Sequence, residues 1–226
     1  MSHVTRQSET YFSKKTTRRV LPGVFLCLII WIIVDLNLRP KHSLREFDPA
    51  EVARLDAEMW RSYYERKPLK LFSQLAELMR SQYGAPFWQS WLLAGYAGRA
   101  AFVFKDGRSR TEYARARPHL CNFYTGINQL ADKPFDVEKV ANMELEWWII
   151  RREKARFSPA DWERILADEA AEFYHLPTQN FREHARLRVS AMLMRDSLGN
   201  DITERDWQQI RVLLEQSWRV LYDNVQ

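Results

Sequence analysis

The residues of this chain best placed to do chemistry are carboxylates set among apolar neighbours. Glu144 has Val140, Ala141, Trp147 and Trp148 three and four positions away, and Glu146 has Asn142, Met143, Ile149 and Ile150. Glu169 lies in the stripe Ile165, Leu166 and Phe173, and Asp56 borders the apolar face of its own segment. Glu172 and His175 form Glu-x-x-His, the spacing that sets two metal ligands on one helical face. Converging in a bundle, Asp56, Glu144, Glu169, Glu172 and His175 could hold a pair of iron or manganese ions and support oxidoreductase chemistry.

In that motif the chain resembles the di-iron carboxylate bundles of the ferritin-like group. Those bundles carry two Glu-x-x-His motifs where this chain has one, so the resemblance covers four residues and scattered glutamates. The competing expectation is structural, with no cofactor. Arg188 is flanked by His184, Ala185, Ala191 and Met192, and Arg195 by Ala191, Met192 and Leu198. Buried acids and buried arginines find one another because either one left unpaired costs several kcal/mol (about 3–5). The sequence therefore predicts a buried ion network of Glu144, Glu169, Arg188 and Arg195.

Other catalytic signatures are absent from the sequence: no phosphate-binding glycine loop, no nucleophile elbow, no paired cysteines for zinc and no calcium loop. No catalytic residue is assigned. Arg99, Lys105, Arg108 and Arg110 gather around the turn at Asp106-Gly107, just before a helix start at Ser109, and could bind an anion such as a lipid headgroup. Arg151, Arg152, Lys154 and Arg156 fall at a helix carboxyl end, where the dipole already favours them. Nine Trp, nine Tyr and twelve Phe could line a pocket for an apolar ligand. At helical spacing they read first as core.

The elements that must position these groups are helices. Asp48-Pro49-Ala50-Glu51 and Ser109-Arg110-Thr111-Glu112 have capping-box spacing, and Ser158-Pro159-Ala160-Asp161 and Thr203-Glu204-Arg205-Asp206 are variants with Asp. Gly84 and Gly107 stand where helices should stop. The spacing predicts helices near 49–66, 69–83, 86–104, 110–131, 137–155, 159–175, 179–197 and 204–223, the fourth kinked or split at Pro118. Two stretches, 87–104 and 137–150, are apolar over more than one face and read as central helices. No two-residue alternation predicts a sheet. The expected fold is all-α, a compact multi-helix bundle over residues 47–226.

Ahead of it, residues 1–19 read as a short basic tail, 20–38 as a single transmembrane anchor and 39–46 as a linker. Val20 to Val34 carries no charge, and the stretch to Leu38 carries only Asp35, long enough as a helix to cross a bilayer. No small-residue cleavage site follows, so the segment reads as uncleaved. Five Lys or Arg precede it, and Arg39, Lys41, Arg45 and Arg54 follow, which leans toward a cytoplasmic tail and an extracytoplasmic domain. The formal charge is +5; residues 1–38 hold five basic and two acidic side chains, leaving 29 and 27 for the rest. A near-neutral domain argues against a nucleic-acid partner. The expected function is a non-catalytic interaction or scaffolding role at a bacterial-type cell membrane, with a possible protein partner.

Overall fold

The computed structural model describes residues 14–226, with side chains from Pro22 onward. Among these residues the protein is all-helical, with one isolated parallel bridge between His42 and Ala131 and no strand. The chain divides into two compact units at Leu38/Arg39.

The first unit carries α1 (Lys14–Asn37), whose 24 residues span about 36 Å. Pro22 lies inside it. The whole of the expected basic tail, and positions 20 and 21 of the expected anchor, lie outside the residues whose side chains are described. Among the described residues no helix is long and apolar enough to cross a membrane.

The second unit contains α2 (Pro49–Tyr64), α3 (Pro68–Tyr83), α4 (Phe87–Asp106), a four-residue α5 (Arg110–Tyr113), α6 (Arg117–Leu130), α7 (Val137–Arg152), α8 (Pro159–Tyr174), α9 (Arg182–Leu198) and α10 (Glu204–Val225). Their starts are fixed by local chemistry. Asp48 Oδ1 accepts from the backbone N–H of Ala50 at 2.9 Å, with Pro49 at the first helical position. Ser158–Asp161 and Thr203–Asp206 form reciprocal capping boxes, so Asp serves where Glu or Gln is usual. The segment expected at 110–131 is interrupted by a 3-10 turn, Ala114–Ala116, and restarts with Pro118 in the first turn of α6.

Helix ends use two devices. Gly84 takes the left-handed conformation, φ 62°, that closes α3. Gly107 has an ordinary φ of −66° and serves another purpose: a Cβ there would stand 2.8 Å from Tyr113 Cδ1. The end of α4 is held by Arg152, whose Nη1 donates to the carbonyls of Phe104, Lys105 and Gly107 at 3.0–3.3 Å. The guanidinium of Arg152 also lies 4.3 Å from the Phe104 ring centroid.

Packing runs in chain order and then closes. α2 packs on α3, α3 on α4, α4 on α6, α6 on α7, α7 on α8, α8 on α9, α9 on α10, and α10 returns to α2. The eight helices thus form a closed ring, and neither α4 nor α7 is the surrounded central helix that its composition suggests. α4 sits between α3 and α6, and α7 between α6 and α8; their second apolar faces are explained by two neighbours each and, for α4, by an outer face that exposes Leu92 and Phe102. The core inside the ring is one large cluster that includes Leu55, Leu93, Leu120, Ile127, Val140 and Phe181, with a smaller one of Ala57, Ala191, Ile210 and Leu214 where α2, α9 and α10 meet. Residues 39–46, expected as a linker, belong to this unit. His42 N–H donates to Leu130 O at 2.8 Å, Asp132 N–H returns to His42 O at 3.0 Å, and Leu44 is in the core.

The α4–α6 contact depends on Gly126, because a Cβ there would collide with Cδ2 of the fully buried Leu93. Gly126→Ala is expected to destabilise the domain by about 1–2 kcal/mol, since overpacking outweighs the helix propensity of alanine. Urea unfolding checks this, and an unchanged midpoint would contradict the contact.

Candidate functional site

At the centre of the ring, seven of its eight helices contribute polar or aromatic groups to one cluster. α7 and α8 bring Glu144 and Glu169 together, carboxyl to carboxyl in a hydrogen bond. Trp148 Nε1, one turn along α7, donates to Glu144 Oε1 at 2.7 Å. Tyr124 Oη, from α6, donates to Glu169 Oε1 at 3.0 Å. On the other side of the cluster, Arg188 of α9 forms a two-pronged ion pair with Asp56 of α2, one arm at 3.3 Å. Trp218 Nε1 of α10 donates to the same carboxylate at 2.9 Å. The Arg188 guanidinium lies 5.6 Å from the Trp60 ring centroid and 5.7 Å from that of Trp218. Tyr83 of α3 feels the charge of Glu144, Glu169 and Arg188 alike.

Two carboxyls in contact cannot both be ionised, so this pair holds a proton between them. Burial pushes Glu169 well above the usual carboxylate range, and the charge of Glu144 pushes it further. Burial also raises Glu144, but the hydrogen bonds from Glu169 and Trp148, and the nearby charge of Arg188, work against that. Glu169 is therefore the acid and donates; Glu144 is the carboxylate and accepts. Both retain partial solvent accessibility, as does Arg188 at 20%. Nearby, the buried His184 is pushed down to about 4 by burial. It is neutral, and its Nδ1 is 2.9 Å from Ser217 O, which assigns the proton to Nδ1.

The carboxylate set expected to bind metal is only half assembled. Glu144 and Glu169 meet; Glu172 pairs with Lys139 at 2.6 Å, and His175 is an exposed left-handed cap of α8 whose Nε2 is 3.0 Å from Pro134 O. The cap breaks the Glu-x-x-His register, because His175 no longer continues the helix on which Glu172 stands. Among the described residues no group of three or more His, Cys, Asp and Glu could hold a metal ion.

The expected ion network is also rearranged. Arg188 takes Asp56 as its ion-pair partner, and neither glutamate. Arg195 lies apart: its Nη1 donates to Gly199 O at 2.6 Å, and its guanidinium stacks 3.8 Å from the Tyr64 ring centroid. Carbonyl and aromatic faces replace the expected acid there.

The four basic residues proposed for an anion do not converge. Arg110 pairs with Glu146 and Glu153, Lys105 and Arg108 are exposed, and Arg99 lines a groove against Phe72. α5, which follows Ser109, is a single turn.

No protein-family model, curated protein or solved structure matches the chain.

Proposed function

We propose that this protein is a single-pass, membrane-anchored helical module with an interaction or scaffolding role, not an enzyme. The observation that carries this reading is the surface of α1. Val24, Phe25, Leu26, Ile30, Ile33 and Val34 are each half or more exposed, and they fall on every side of the helix. A helix apolar all round belongs inside a core or inside a bilayer, and water opposes it. The basic residues ahead of residues 20–38 lean toward a cytoplasmic tail, with the large domain outside a bacterial-type cell membrane. The domain itself, 29 basic against 27 acidic residues from Arg39 on, offers no excess charge for nucleic acid.

The ring centre supports a structural role for its charges, because each carboxylate has a proton, an arginine or an indole as its partner. An iron or manganese oxidoreductase, the second reading, rests on the Glu144–Glu169 contact alone. An apolar-ligand module would have to use the aromatic walls around Tyr83 and Phe173, whose rings are 6.1 Å apart and already pack on one another.

Alkaline carbonate treatment of membranes from expressing cells tests the anchor. The full chain is expected to stay with the lipid, and a chain beginning at Arg39 to appear in the supernatant. Release of the full chain would sink the proposal.

A further inference from the structure

The outer face of α4 has a feature that internal packing does not explain. Gly95 and Gly98 are helical, and a Cβ added to either would meet nothing within 4 Å. Glycine is disfavoured against alanine in a helix interior, and here neither a positive φ nor a neighbour inside the domain requires it. The missing side chains instead leave an open groove of about 460 Å³, walled by Phe72 of α3 and by Phe102, and edged by Arg99 and Asp106. Phe102 is 62% exposed and Leu92 44%, on the same side of the helix as the glycines. Arg99 and Asp106 have no ion-pair partner in the domain. They cannot pair with each other within one copy, being seven residues and about 10 Å apart along the axis.

We propose that two copies of this chain associate through this face, their α4 helices antiparallel about a two-fold axis near residues 100–101. The charge pattern selects that arrangement. Parallel helices would set Arg99 beside Arg99, whereas antiparallel helices bring Arg99 of each copy within one turn of Asp106 of the other. The same register lays Phe102 of one copy beside Gly98 of the other, where the absent side chain gives the ring room. A two-fold contact is self-complementary by construction, and this face carries both halves of the match. The proposal stands on the domain surface and does not depend on the anchor.

Sedimentation of the full chain in mild detergent tests it, with charge reversals as the specific readout. The unaltered chain is expected to be dimeric at micromolar concentration. Arg99→Asp or Asp106→Arg alone should weaken association at least tenfold, and the two together should restore it to within about threefold, since opposite charges again face across the axis. Gly98→Leu should abolish the dimer without lowering the melting temperature, because leucine favours a helix and meets nothing inside the domain. A chain that is monomeric throughout would overturn the proposal. So would a dimer that survives Gly98→Leu, or a double reversal no better than the singles.

Discussion

Arg188→Met is expected to cost the domain about 3–5 kcal/mol of stability. Asp56 is only 4% exposed and receives both arms of the guanidinium. Methionine fills much of the same volume but leaves that carboxylate buried with Trp218 Nε1 as its one donor. The loss also removes the positive charge that favours ionised Glu144 and Glu169. For a domain of this size the change corresponds to a fall in melting temperature of roughly 6–20 °C. The double variant Asp56→Leu/Arg188→Met should recover much of it, because an apolar pair leaves no orphaned charge. Thermal unfolding of the two variants checks this; a single variant as stable as the parent would show that the pair is dispensable.

Glu169→Gln is expected to remove a loss of stability that the parent suffers as pH rises. Glu169 is held above its ordinary pKa by burial and by Glu144. A carboxyl raised in the folded state stabilises it fully below the unfolded value, near 4.5, and that contribution is lost as pH rises through the folded value. Across that window the loss is about 1.4 kcal/mol per pH unit for one proton. Glutamine keeps both bonds, accepting from Tyr124 Oη and donating to Glu144, and has no proton to lose. The variant should therefore gain on the parent steadily as pH rises. The buried His184, lowered to about 4, acts in the opposite sense, its contribution being lost as pH falls below 6.5. Urea unfolding of variant and parent from pH 4.5 upward checks this, since His184 is common to both and cancels in the difference; parallel curves would contradict the raised acid.

Much of the fold is legible in the sequence, because the helices are started by short-range chemistry. Ser158, Asp161, Thr203 and Asp206 declare their helices within four residues. Closure of the ring is not legible, since it depends on α10 returning to α2 across more than 140 positions (Arg61 of α2 bonds Glu204 of α10). That closure decides the site. Asp56 and Arg188 are 132 positions apart and can be matched only once the ring is known. The Glu-x-x-His spacing misleads for a local reason: nothing in its four residues announces that His175 turns left-handed and ends α8. Trp148, Tyr124 and Trp218 read as core aromatics, and their packing gives no hint that the polar atom of each is spent on a buried carboxylate.

The interior carboxylates are held by a proton and an arginine. Infrared spectroscopy of residues 39–226, a compact unit with its own core, tests it most directly through the carbonyl stretch of a protonated carboxyl group. Above pH 4.5, where an ordinary glutamate is ionised, one such band is expected to persist, and Glu169→Gln should remove it. Loss of every protonated carboxyl at the ordinary glutamate value, as two metal-bound carboxylates would give, or a band that persists in Glu169→Gln, would contradict the shared proton.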